Sequence, residues 1–121
     1  MKQKVHSVSY LAKAEFEFKT GVYDLVALPT GAEVVKVSLE VVGNPMAGNI
    51  SVGFKDETTK EYFLNLNNSD IVANQFKTSA KDYTATSNKV VVAEVKNANT
   101  SDAKGVLRVL YFLPSVIEVE Y

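Results

Sequence analysis

The sequence predicts an all-β domain, a sandwich or barrel of antiparallel strands with at most one short helix. Three observations carry this. Short stretches alternate apolar and polar residues, the period of a half-buried strand. Clusters of Gly, Pro, Asn, Asp and Ser separate them every ten residues or so. No stretch holds an apolar helical period long enough for a major helix, and no repeat or low-complexity tract interrupts the pattern.

At 121 residues the chain is one domain. A chain of this size buries roughly two-thirds of its unfolded surface, enough for a core without crosslinks. Residues 1–10 are polar and mildly basic, with Val5, Val8 and Tyr10 as apolar points. They read as a first strand or an extended arm, ahead of a single domain over 11–121. From Leu11 to Lys19, Ala12, Ala14, Phe16 and Phe18 alternate with charged residues, as in a strand with one wet face. Thr20-Gly21 turns the chain. Val22–Leu28 and Glu33–Val42 then read as a β-hairpin closed by Pro29-Thr30-Gly31, with Pro presetting φ and Gly accepting a positive one. In the second of these strands Val35, Val37, Leu39 and Val41 fall on one face, against Lys36, Ser38 and Glu40.

Residues 43–49 are a Gly/Pro/Asn loop. Ile50, Val52 and Phe54 mark a short strand, Lys55–Lys60 a charged turn and Glu61–Leu66 another strand. At 67–75 the pattern allows a short helix capped by Ser69 or a strand. Thr78–Ser87 is polar around Tyr83. Lys89–Lys96 is a strand, 97–105 a polar hairpin loop, and Val106–Leu113 a long strand. Pro114 interrupts it before Val116–Tyr121 resumes.

Thirteen basic and fourteen acidic residues give a net charge of -1, evenly spread along the chain. Nucleic-acid binding calls for clustered cations. The one arginine, Arg108, instead sits in an apolar run, so no nucleic-acid partner is expected. With no cysteine, disulfides, thiolate metal sites and cysteine nucleophiles are excluded. No apolar signal segment or membrane-length run is present, so synthesis in the cytoplasm and no membrane partner are expected. His6 is the only histidine and reads as a surface or partner contact. Asp56 and Glu57, with Asp24 or Asp82, lack calcium-loop spacing and read as solvated turn charges. Nucleophile-elbow, P-loop and dinucleotide motifs are missing, and without tryptophan the usual sugar-stacking platform is missing too. The expectation is a non-enzyme with no cofactor and no metal.

Surfaces say more. Leu107, Val109, Tyr111 and Leu113 lie on one face of the long strand. Val106, Leu110 and Phe112 lie on the other, broken only by Arg108. Val90-Val91-Val92 is apolar on both faces as well. Strands of this kind invite aggregation unless both faces are covered. The cover is either another segment of the same chain or a symmetric neighbour with Arg108 paired across the contact. Val106, Arg108, Leu110 and Phe112 are the candidate self-association residues.

Leu28-Pro29-Thr30-Gly31-Ala32 leading into a valine-rich strand, then Val52-Gly53-Phe54, Tyr62-Phe63-Leu64 and the closing KGVLRVLYFLPSVIEVEY, resembles the head-decoration, or capsid cement, proteins of tailed bacteriophages. The likeness spans most of 21–121 and rests on fold-determining positions. It implies a β-sandwich of jelly-roll-like type, commonly trimeric, on the surface of a virion, where it binds the major capsid protein and locks neighbouring shell subunits. By position and composition, residues 1–10 and the loops 43–49 and 97–105 are the natural elements for such shell contacts, with Lys2, Lys4, His6, Tyr10, Asn44 and Met46 as candidates. A tail, baseplate or receptor-binding module recognising a cell-surface ligand is the alternative on the same fold.

Overall fold

The computed structural model describes residues 2–43, 47–56, 59–67, 70–71, 75–98, 103–113 and 116–120, the side chains of 2, 4 and 116–120 excepted. Among them are eleven strands and no α-helix. The strands are β1 (Lys2–His6), β2 (Ser9–Glu17), β3 (Gly21–Leu28), β4 (Glu33–Val42), β5 (Asn49–Phe54), β6 (Leu64–Leu66), β7 (Phe76–Ser79), β8 (Tyr83–Thr84), β9 (Lys89–Lys96), β10 (Lys104–Phe112) and β11 (Val116–Glu120).

Their pairing is nested. β1 pairs β11, β2 pairs β10, β3 pairs β9, β4 pairs β7 and β8, and β5 pairs β6, all antiparallel. The chain is therefore one long antiparallel ribbon with its tip between β5 and β6. Rolling that ribbon brings β10 beside β4 and β9 beside β5. The result is two sheets, β2-β10-β4-β7 and β3-β9-β5-β6, in a jelly-roll-like sandwich.

This arrangement overturns the expected hairpin of strands 22–28 and 33–42. β3 and β4 lie in different sheets, because β9 takes the inner edge of β3 while β10 and β7 take both edges of β4. The Pro29–Ala32 turn arches across the end of the sandwich, with Leu28 and Ala32 both buried. Ala32 N donates to Pro29 O at 3.1 Å, so Pro29 takes the first turn position and Gly31, with φ +88°, the third. The remaining polar groups of the arch turn to the chain beside it. Gly31 N donates to Ala85 O, Ala85 N to Ala32 O, and Thr30 N to Asn88 Oδ1. Residues 97–105, expected as a hairpin loop, also join the two sheets, since β9 and β10 are not paired.

A bulge changes which valines face the core. Tyr111 pairs with Val34 while Leu110 pairs with Lys36, leaving Val35 as the extra residue on β4. Val34 is thus fully buried and Val35 only half-buried, contrary to simple alternation from Val35 to Val41. Val37, Leu39 and Val41 face inward as expected. Phe16 and Phe18 on the β2 side, Phe54, Val52 and Val91 on the other, and Leu107 and Val109 from β10 complete the core. Phe16 lies over Gly105, its cross-strand partner, where a Cβ would stand 2.3 Å from the ring.

The stretch read as polar around Tyr83 supplies two short strands, β7 and β8, at the edge of β4. Tyr83 anchors it by packing 4.4 Å from Phe54, centroid to centroid, beside Tyr62. The proposed cap Ser69 and residues 72–74 fall outside the described residues. β6 is shorter than expected because residues 59–62 form tight turns before it.

β1 and β11 prolong the β2–β10 ladder beyond the sandwich. Leu113 N donates to Val8 O at 2.8 Å, and the register then resumes one residue offset, from His6 opposite Val116 to Lys2 opposite Glu120. This ribbon forms a two-stranded sheet of its own.

Candidate docking surfaces

The outer face of β2-β10-β4-β7 follows from the registers. One row across the sheet is Leu11, Leu110 and Lys36. The next is Lys13, Arg108, Ser38 and Thr78, and the third is Glu15, Val106, Glu40 and Phe76. Cations therefore stand beside anions, with apolar side chains above and below. Arg108 Nη1 lies 2.9 Å from Glu40 Oε1, and its guanidinium sits 5.9 Å from the Phe76 ring centre. The arginine is thus paired within its own chain, which removes the need for a partner carboxylate across a contact.

Of the candidate self-association residues, Val106 is only 3% exposed, while Arg108, Leu110 and Phe112 are half-buried. Arg108 and Leu110 line a groove of about 470 Å³ together with Leu11, Lys36, Phe76 and Thr78. Leu11 (62% exposed) and Phe76 (58% exposed) are its open walls. Sequence reading passed over both. Leu11 carries the period of the wet face of β2, a signal that was present. Phe76 falls between the ambiguous stretch 67–75 and the polar stretch from Thr78, and becomes a surface residue only because β7 pairs with β4.

The second strand read as apolar on both faces is covered differently. Val92 pairs with Gly53, and a Cβ on Gly53 would lie 2.2 Å from Thr59 O and 2.5 Å from Lys60 O. The 59–60 turn therefore lies against this outer face, and Lys60 reaches Glu94 at 3.6 Å. On β9 the chain covers itself; on β10 the groove stays open.

The candidate shell contacts are dispersed. His6 Nδ1 donates to the Leu113 carbonyl at 3.1 Å, locking the ribbon to the end of β10. Tyr10 is exposed and meets Tyr111 edge-on at 5.9 Å. Lys2 and Lys4 occupy register positions opposite Glu120 and Glu118. Asn44 and Met46 fall outside the described residues. Asp24, considered for calcium, pairs with Lys55 at 2.8 Å. Among the described residues no cluster of three metal-ligating side chains occurs, and no helix is long and apolar enough to cross a membrane.

No protein-family model and no curated protein matches the chain. Solved structures do. A chain in the acid-stable capsid structure of Helicobacter pylori bacteriophage KHP30 is 75% identical over the full length of both chains, with a TM-score of 0.90. A chain of the cyanophage Pam1 capsid asymmetric unit is 22% identical, covering 88% of this chain and 85% of that one, with a TM-score of 0.68. One from the capsid of Ralstonia phage GP4 is 12% identical, covering 89% and 86%, with a TM-score of 0.62. The last two share the fold, whereas identity of 75% end to end shows common descent, and the chain belongs with the KHP30 protein to a family of phage capsid structural proteins.

Proposed function

We propose that this chain decorates a phage head: it binds the outer shell, bridges neighbouring major capsid subunits and catalyses no reaction. It would be made in the host cytoplasm and act on the virion surface. The observation that carries the reading is the open groove of Leu11, Phe76 and Leu110, an apolar patch on the outer face of the β2-β10-β4-β7 sheet. We assign the groove to a second copy of the chain. The Lys13–Arg108 row beside the Glu15–Glu40 row gives the face both signs of charge, so an identical subunit can meet it without uniform like-charge repulsion. A trimer is the favoured assembly. We assign the shell contacts to the ribbon β1–β11, with His6 and Tyr10 at its base, and to the loops 43–49 and 97–105. Each contact is modest, and many copies on a closed lattice act multivalently.

Quantitative mass spectrometry of purified particles tests the role. A copy number close to that of the major shell protein is expected. A handful of copies would place the chain at the tail or a vertex and overturn the reading. For self-association, Phe76→Lys with Leu11→Lys is expected to shift the sedimentation of the free chain to the monomer, and an unchanged profile would remove the groove from the interface.

A further inference from the structure

Four strands end the two sheets of the sandwich: β2 and β7 in one, β3 and β6 in the other. An open edge is a template for another strand, and proteins blunt theirs by shortness or by bulges. Three of these edges are blunted. β6 has three residues and β7 four, and β3 is bulged at Leu25, where the register steps from Asp24–Val92 to Val26–Val91. β2 is not. Its nine residues keep one register against β10 from end to end. The ladder also shows which backbone groups of β2 face outward. Val8 O accepts from Leu113 N and Phe18 N donates to Ala103 O, just beyond either end of that register. Antiparallel bonding alternates, so the even residues of β2 bond to β10, and the odd ones, Leu11, Lys13 and Glu15, turn their N–H and C=O away. No described strand pairs with them there, and their side chains are exposed.

We infer that β2 pairs edge to edge with β2 of a second copy, antiparallel about a two-fold axis at Ala14. Charge selects that axis. It sets Lys13 opposite Glu15 of the second copy and Glu15 opposite its Lys13, and these odd residues hold the outward backbone groups that the pairing needs. An axis at Lys13 or at Glu15 sets that residue against its own like charge. An axis at Phe16 sets Glu15 against Glu17, and one at Ala12 leaves Lys13 and Glu15 without charged partners. Size agrees. Ala14 meets its own copy as a non-hydrogen-bonded pair, where side chains stand closest, and a methyl group fits there. Glu15 already meets Lys104 at 3.5 Å, but its side chain is 53% exposed and a carboxylate accepts more than one donor. The contact is isologous, so it closes on two copies. It runs along the sheet edge and not across the groove, so it stands whether or not the decoration reading does. On a shell it would join neighbouring assemblies, and a small contact counts where a lattice holds copies side by side.

Disulfide trapping of the free chain tests this. The chain has no cysteine, so Ala14→Cys supplies a single thiol. Across the axis the two Cα atoms of such a pair stand about 4.5 Å apart, within the range of a disulfide. With oxidised glutathione, Ala14→Cys should give the linked dimer about tenfold faster than Ala12→Cys, a half-buried site of the same strand that falls opposite Phe16 of the second copy. Adding Lys13→Glu to Ala14→Cys sets like charges opposite each other and should slow the link about tenfold, and adding Glu15→Lys as well should restore it. Both charges are exposed, so neither change endangers folding. Phe76→Lys should leave the rate unchanged, which separates failure of this contact from failure of the groove. Equal rates at positions 12 and 14 overturn the proposal. So does a rate that Lys13→Glu does not lower, or one that Phe76→Lys abolishes.

Discussion

Replacing Gly53 by alanine isolates one packing contact. Gly53 has ordinary backbone geometry, so alanine is conformationally allowed there. By itself the change should stabilise by about 0.4–1 kcal/mol, because the unfolded chain loses freedom. Space decides otherwise. The new methyl would stand 2.2 Å from Thr59 O and 2.5 Å from both Lys60 C and Lys60 O. Ordinary contact is about 3.5–4.0 Å, so the overlap is about 1 Å or more at three atoms. All three belong to backbone, which cannot swing aside as a side chain would. The 59–62 turn is held by Thr59 N donating to Asp56 O and Tyr62 N to Thr59 O, and Tyr62 packs on Phe54 and Tyr83. Overpacking of this kind costs about 1–3 kcal/mol, and here the upper end applies. The net expectation is a loss of about 2 kcal/mol. With a urea slope of about 2 kcal/mol/M for a small domain, the midpoint should fall by about 1 M at unchanged slope. Hydrogen exchange should also quicken at Thr59 and Tyr62 before it does at β4. A midpoint that stays put or rises would refute the account of how β9 is covered.

The other expectations concern the turn, the core, the ion pair and the ribbon. Gly31→Ala puts a side chain at φ +88° and should cost about 1–2 kcal/mol in chemical denaturation. Leu39→Ala, at a fully buried core site beside Leu107 of β10, should cost about 2–5 kcal/mol, and a smaller loss would mean that the core collapses around the cavity. A double-mutant cycle on Arg108→Met and Glu40→Met should return a coupling of about 1 kcal/mol, falling with added salt. A coupling of zero would show the pair to be incidental. Deleting residues 116–121 should unpair β1 and leave its amides freely exchanging. The sandwich should keep its stability to about 0.5 kcal/mol, because β1 and β11 form a sheet of their own; a large fall in the urea midpoint would contradict this.

Local order was legible in the residues. The alternation from Ala12 to Phe18 marks β2 with its buried face, and the same rule finds β5, β9 and β10 within a residue or two. Pairing was not. Pro29 and Gly31 announce a reversal, but the same turn chemistry serves a hairpin within one sheet or an arch between two. Only the availability of strand edges decides which one forms. The docking surface divided in the same way. Leu110 and Arg108 stood out in sequence because they interrupt a simple alternation. Glu40 and Phe76, which complete that surface, come from strands 68 and about 32 positions away in the chain, where no local period can connect them.

What the chain determines by itself is therefore its class. Period-two hydrophobicity, turn residues at short intervals, balanced charge and the lack of cysteine are local or summed properties, and they restrict it to a cysteine-free β-sandwich without catalytic motifs. What only the tertiary structure decided is which faces remain open. The 59–60 turn closes one outer face over Gly53, while the face bearing Leu11 and Phe76 is left bare. Both strands are apolar on two sides, so hydrophobicity alone cannot tell them apart. The difference arises when the rolled ribbon brings distant segments together and fixes which surfaces the chain can cover.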